Sequence, residues 1–385
     1  MMTDIAAYDI ASMAENAIGL LCRLISTPSV SRDEALTADI LQGWLAEQGV
    51  EARRIHNNVW AVCDGYDPAK PTLMLNSHHD TVKPSPAYTN DPFTPVRADG
   101  RIYGLGSNDA GASLVSLATV FCALRHVDLP FNLLLAITAE EEVSGEKGMR
   151  AFLPEMSGSG YRIDMALVGE PTSMQPAIAE RGLVVLDCKS HGVAGHAARN
   201  EGVNAIYKAI KDIEILRSLR FDRVSPTLGD IKVSVTQIQA GRQHNVVPEE
   251  CTFVVDVRTT DAYSNEETVE IIRSAIGSEA QPRSTRIRAS VIDESHPLVR
   301  AAMEMGKVPF VSPTTSDMAL MSAFPSLKMG PGESSRSHTA DEFVLESEIA
   351  DGIASYFRLL SNLCHIQNSL ACQSGKPITT FKIQH

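Results

Sequence analysis

Phe131-Asn132-Leu133-Leu134-Leu135-Ala136-Ile137-Thr138-Ala139, an almost wholly apolar run, leads directly into Glu140-Glu141-Glu142. A short apolar run of this kind reads as a buried strand, with the three carboxylates at its mouth. Like charges a few ångströms apart oppose one another's ionisation unless a cation, a proton or bulk water intervenes. On a surface, solvent would suffice. Here the run emerges from the core of a sheet, so the question is what positive charge the glutamates face.

The neighbouring segments build the sheet around that strand. Residues 59–63, 72–76 and 165–168 are short apolar runs bounded by Asp, Gly and Pro and read as further strands. Residues 13–24, 35–48 and 110–125 show helical periodicity. Strands alternating with helices predict an α/β layered domain. The texture changes after Glu170-Pro171-Thr172. Residues 183–190, 231–239 and 252–259 alternate like half-exposed antiparallel strands, with helices at 204–219 and 266–276. This pattern predicts a ferredoxin-like α+β domain inserted into the first. After Arg288 the α/β texture returns, with helices at 297–305 and 346–363, a segment at 317–323, and a loose polar tail from Gln367. The expected division is 1–178, 179–288 and 289–385, the first and last forming one domain around a central mixed sheet.

A chain of 385 residues exceeds what one hydrophobic core supports, in keeping with two domains. Hydrophobic content of 44% and a net charge of −13 fit a soluble protein and argue against nucleic acid or an anionic membrane as partner. Seven scattered cysteines without a CxxC pair, and no leader among residues 1–8, predict reduced thiols and a cytoplasmic location.

In open α/β sheets ligands bind beyond the carboxyl ends of the strands, and this chain places its charged residues there. The strand at 72–76 runs into Ser77-His78-His79-Asp80. The strand at 165–168 runs into Gly169-Glu170-Pro171. Asp109 closes the turn Gly104-Leu105-Gly106-Ser107-Asn108, and His338 lies in the irregular loop after Gly330-Pro331-Gly332. Taken singly, each carboxylate is most simply a solvated charge or a helix cap, and each histidine a surface residue. Five elements ending at one edge with ligand-type residues outweigh that. Imidazoles and carboxylates together are the donor set of a pair of zinc-like ions with a position left open for water. Asp80, two positions past His78, can accept the imidazole N–H. A spare glutamate of the triplet would shuttle the proton. No Gly-x-Ser-x-Gly elbow, His-Glu-x-x-His helix or phosphate loop is present.

In that order, these motifs resemble the M20 family of co-catalytic metallo-hydrolases. Ser77-His78-His79-Asp80-Thr81-Val82-Lys83-Pro84, Gly104 to Asp109, the glutamate triplet, Gly169-Glu170-Pro171-Thr172 and the Gly330-to-His338 loop match its signatures through most of the chain. The resemblance implies His78, Glu142, Glu170 and His338 as terminal ligands of two divalent ions, Zn²⁺ first among Zn²⁺, Co²⁺ and Mn²⁺, with Asp109 bridging. It implies Asp80 as the group orienting His78 and Glu141 as general base, with His79 a bystander. An extended strand end would turn Glu141 away from Glu142, so the turn after Ala139 must break the alternation. Glu140 stands where the family usually has Asp, and Ala110-Gly111-Ala112 where many members carry Met-Lys-Gly.

The inserted domain resembles the family's dimerisation lid. His191-Gly192-Val193-Ala194-Gly195-His196-Ala197 implies His196 as an oxyanion donor reaching a dimer partner, and Asn245-Val246-Val247-Pro248 implies Asn245 as a substrate contact. Arg258 could hold a substrate carboxylate as a fork. Asp317 could face a substrate amine or cap a helix. Within the family the chain looks most like the acetylornithine deacetylase group. This implies hydrolysis of N-acetyl- or N-succinyl-L-ornithine to ornithine in arginine synthesis, by a homodimer. The rivals are succinyl-diaminopimelate desuccinylase, a dipeptidase or carboxypeptidase, and a metal-free binding homologue.

Overall fold

Thr72–His78 and Asn132–Thr138 are buried along their whole length, and that two-sided burial sets the architecture. In the computed structural model, which describes residues 8–199 and 201–373, the two strands pair in parallel from Thr72↔Asn132 to His78↔Thr138. Side chains alternate across a strand. Leu73, Leu75, Leu133, Leu135, Ile137 and Leu167 therefore join one core cluster, while Met74, Leu134, Ala136, Ala166 and Val168 join another. Helices Ile10–Ile25, Ala112–Leu124 and Glu346–Gln373 supply Ile18, Leu117 and Ile353 to the first. Helix Met149–Gly158 and the 3-10 turn Asp317–Leu320 supply Phe152 and Met318 to the second. The result is an α/β/α sandwich in which each fully buried Leu contributes about 1.5–3 kcal/mol. The apolar stretch Ser107–Leu124 is 83% buried, as a core helix should be.

The chain divides into two units. One takes the described residues of Met1–Ile178, Ile292–Phe310 and Ser316–His385, and the other takes Ala179–Val291 and Val311–Thr315. Within the first, the strand order is Arg53–Ile55, Asn58–Val62, Asn132–Thr138, Thr72–His78, Met165–Val168, Ser326–Lys328. The last four of these run parallel, and Asn58–Val62 runs antiparallel to Asn132–Thr138. This is the mixed central sheet expected. Its parallel strands end at one edge, below His78, the glutamate triplet and Glu170.

Three features differ from the sequence reading. The last helix continues to Gln373, beyond the boundary read at Gln367. The rest of that tail, 374–385, and residues 1–7, read for a leader, lie outside the described residues. Helix Met149–Gly158 escaped notice because Pro154 lies inside it and reads as a breaker. Val96–Ala98, Arg101–Tyr103 and Phe343–Leu345 form a small antiparallel sheet whose three-residue strands are too short to show a period.

The second unit has strands Gly182–His191, Lys232–Ala240, Glu250–Thr259 and Glu279–Pro282, with helices Ala205–Ser218 and Asn265–Ala275. The sheet is antiparallel, in the order second, third, first, fourth, which is the ferredoxin-like topology. Val184, Leu186, Val255, Val257, Ala209 and Ile272 form its core.

Candidate metal centre

The break in alternation that the triplet needs is present in the backbone. Glu140 adopts a left-handed conformation, φ 55°, and Glu141–Val143 follow as a 3-10 turn. Gly145 packs on this turn, and a Cβ there would collide with the Glu140 carboxylate. Asp80 holds the turn from the neighbouring strand. Its Oδ1 accepts the Glu141 N–H at 3.0 Å and its Oδ2 the Glu142 N–H at 3.2 Å, and the Ser31 hydroxyl donates to Oδ2 at 2.6 Å. The buried Glu34 carboxylate accepts from the Glu140 N–H at 3.3 Å.

His78 ends its strand with a side chain only 1% exposed. Its Nδ1–H donates to the Asp80 backbone carbonyl at 3.0 Å, with the Asp80 carboxylate at 3.5 Å. The sequence reading had the carboxylate as the acceptor. Nε2 faces Asp109 Oδ1 at 3.3 Å, Glu170 Oε1 at 3.7 Å and Glu141 Oε2 at 4.0 Å. On the far side, His338 Nε2 lies 3.0 Å from Glu142 Oε2 and 3.5 Å from Asp109 Oδ2. Asp109 thus turns one oxygen toward each histidine. His78, Asp109 and Glu170 form one ligand group and Asp109, Glu142 and His338 a second. Glu141 lies beside the first and belongs to neither.

The electrostatics say what charge the cluster calls for. Burial disfavours a charged His78, yet the Asp109 and Asp80 carboxylates hold its pKa well above the usual value. Burial pushes Glu170 up to about 8 and holds Glu141 well above the carboxylate range, with neighbouring carboxylates adding to each shift. The hydrogen bond to Glu142 raises His338 to about 9. His78 Nε2 is buried without a hydrogen-bond partner. In a neutral ring with Nδ1 as the donor, the Nε2 lone pair would face the Asp109, Glu170 and Glu141 carboxylates, so the cluster calls for a proton or a cation at that position. A divalent ion at each group resolves that arrangement, and the N and O donors are those such ions take. The residues fit the metals.

The remaining candidates divide. His79 faces the opposite side of the strand. Burial lowers it to about 4, and its ring is used by the Thr37 hydroxyl and the Asn57 carbonyl; it is no ligand. In the second unit, His196 and Asn245 are neighbours: Gly195–His196 pairs with Val246–Val247, and the Ala197 N–H donates to the Asn245 carbonyl at 3.0 Å. The Arg258 fork meets Asp256 on the same strand face, at 2.8 and 3.2 Å, in a partly exposed pair. Asp317 is not the cap of its turn, which is Ser316; its carboxylate is buried, accepts from the Thr138 hydroxyl at 2.7 Å and adds to the rise in the Glu141 pKa.

Over residues 74–362 the sequence matches Peptidase family M20/M25/M40. The chain belongs to this family. A succinyl-diaminopimelate desuccinylase of Paracoccus denitrificans is 31% identical over 66% of this chain and 70% of its own length. An acetylornithine deacetylase of Edwardsiella ictaluri is 29% identical over 90% of this chain and 97% of its own. Among solved structures, Bacillus subtilis YXEP, described as a dinuclear metal binding peptidase from the M20 family, superposes with TM-score 0.68. It is 18% identical, over 91% of this chain and 98% of that one.

The motif-based reading of this M20 chain missed three buried charges around the centre. Glu34 is one. Lys328 is the second; it ends the Ser326–Lys328 strand, and its charge opposes the rise in the Glu170 pKa. Glu342 is the third: its carboxylate accepts three backbone N–H groups from the Asp109 turn, and burial pushes it up to about 7. The available signal was an acidic residue abutting the apolar Phe343-Val344-Leu345, the same juxtaposition that singled out the glutamate triplet.

Proposed function

We propose that this M20 hydrolase is a two-metal amidase that deacylates N-acetyl-L-ornithine, or its N-succinyl counterpart, releasing L-ornithine for arginine synthesis. One observation carries the chemistry: Asp109 turns an oxygen to each histidine, while Glu141 stands beside the first ligand group and belongs to neither. The near full-length likeness to acetylornithine deacetylase supports the substrate. His78, Asp109 and Glu170 would hold one ion, and Asp109, Glu142 and His338 the other. Zn²⁺, Co²⁺ or Mn²⁺ suits these donors, and the dinuclear description of YXEP supports a pair. Bound there, the ions would polarise the scissile carbonyl and lower the pKa of the attacking water.

The chain's own residues do the rest. A Glu141 carboxylate oxygen takes the proton from the attacking water and delivers it to the leaving nitrogen. Asp80 keeps Glu141 and Glu142 in place through their backbone N–H groups. His196 Nδ1 accepts from the Ala198 N–H at 3.2 Å, which leaves Nε2–H as a donor suited to an oxyanion. Asn245, its neighbour, would contact substrate. In this reading His196 serves a second copy. Dimerisation through the second unit is supported by its edge strand Lys232–Ala240, exposed along most of its length, and by exposed Ile238, Tyr207 and Ile210. An unprotected edge of this kind invites pairing. The free thiols of the six cysteines whose side chains are described support a cytoplasmic setting.

The 31% identity to a desuccinylase favours a second reading, hydrolysis of N-succinyl-diaminopimelate. Steady-state rates of the zinc-loaded protein on acetylornithine, succinylornithine, succinyl-diaminopimelate and a dipeptide panel decide between them. Fastest turnover is expected on an ornithine derivative. Inactivity on both ornithine compounds beside rapid turnover of another would remove the assignment, and inactivity on all with no bound metal would favour a binding homologue.

A further inference from the structure

We propose that Glu342 is a positioning residue that, together with Asn108, splints the Asp109 turn to the His338 loop and so preforms the second ion's site; this rests on the two-metal reading. The register of the small sheet starts the argument. Phe343 pairs with Tyr103 and Leu345 with Arg101, which brings Glu342 opposite Gly104, whose N–H donates to the Glu342 backbone carbonyl at 3.0 Å. From there the side chain, in a residue only 2% exposed, turns into the Gly104–Asp109 turn. Oε1 accepts the N–H groups of Asn108 at 2.8 Å and Asp109 at 2.9 Å, and Oε2 accepts that of Gly106 at 3.1 Å. Gly106 can present its N–H because it adopts φ +76°, where a side chain would be strained.

The other end of the loop is tied from the opposite direction. Asn108 Oδ1 accepts the Glu333 N–H at 3.0 Å, and its Nδ2 donates to the Glu333 carbonyl at 3.0 Å and the Ser337 hydroxyl at 3.4 Å. His338 lies between these ties, with φ 59°. Asp109 and His338, far apart in the chain, are therefore held as one piece. The group at position 342 has to be a carboxylate. It has acceptor sites for three N–H donors and needs no donor of its own, whereas an amide would turn an N–H₂ against backbone N–H groups. Asp80 performs the corresponding task for Glu141 and Glu142.

Two measurements test this. Zn²⁺ titration by calorimetry should show two ions per wild-type chain. In Glu342→Gln, the ion held by Asp109, Glu142 and His338 should bind about 10–100-fold more weakly, the usual cost of losing an outer-shell partner, and the other ion, which shares Asp109, should lose less. Hydrogen exchange of the metal-free proteins should show the amides of Gly106, Asn108 and Asp109 losing protection in Glu342→Gln, while those of the Asn132–Thr138 strand keep theirs. Asn108→Ala, which cuts the other tie, should also weaken the second ion and carries the test if Glu342→Gln does not fold. Wild-type affinity for both ions in the folded variants, or unchanged protection of the three amides, overturns the proposal. A wild-type protein that binds fewer than two ions overturns the two-metal reading instead, and the exchange measurement still decides the splint.

Discussion

The two halves of the ligand cluster are built differently. His78 ends one of two adjacent parallel strands and Glu170 follows the other, and the His78 side chain is 1% exposed. Glu142 and His338 sit on a turn and a loop, and the His338 side chain is 54% exposed. The first half inherits rigidity from a sheet packed on both faces. The second depends on hydrogen bonds between segments, supplied by Asp80, Glu342 and Asn108. The buried His78 cannot exchange its charge with solvent and must be compensated from within, whereas the exposed His338 can be screened by water, although its partner Glu142 is 8% exposed.

The largest effect is expected at the group between the halves. Glu141→Gln should lower turnover by about 10²–10⁴-fold, the typical contribution of a general acid–base group, with metal content by mass spectrometry unchanged. Near-normal turnover would remove Glu141 from the mechanism. The sharpest test of the comparison sets His78→Ala against His338→Ala in metal-free protein by urea unfolding. Loss of His78 removes the buried cation that faces Asp109 and Asp80 and should cost about 3–5 kcal/mol. Loss of the exposed His338 should cost less than about 1 kcal/mol. Equal losses would break the comparison.

Metal removal should act on both halves. At a free zinc concentration about 1,000 times Kd, each site stabilises the fold by about 4 kcal/mol, so chelation should lower Tm and zinc should restore it. An unchanged Tm after stripping would show that the cluster tolerates its charges unaided. The smallest effect is on pH dependence. In metal-free protein Glu170 is raised to about 8 and His338 to about 9. Both hold protons when folded that the unfolded chain releases at lower pH. Their contribution is full below the unfolded values and is lost as pH rises through the folded ones. Tm of the chelated protein should therefore fall between pH 6.5 and 9; a flat or rising profile would contradict the crowding of charge.

Much of the centre was legible because strand burial and strand ends are local properties. The apolar runs before His78, Glu140 and Glu170 match the Thr72–His78, Asn132–Thr138 and Met165–Val168 strands to within one or two residues at each end, and parallel strands deliver the residues at their carboxyl ends to one edge. Internal pairings of the other candidates were less evenly marked. Asp256 and Arg258 share a strand face at i, i+2, so the pairing that occupies the Arg258 fork was available to a period-two reading. Asp317 follows no strand, and nothing local showed that Thr138 would take its carboxylate.

By itself the sequence determined the alternation of strands and helices, the inserted antiparallel unit and the set of ligand-type residues, since each depends on side-chain period and chain order. Only the tertiary structure decided that Glu140 turns left-handed so that Glu141 and Glu142 face inward, that Asp109 divides its oxygens between two histidines, and that Asp80, Glu34 and Glu342 hold the ligand turns. The physical reason is that these are backbone hydrogen bonds between distant segments. Every residue but proline carries the same N–H and C=O, so the sequence does not mark which of them will be gripped.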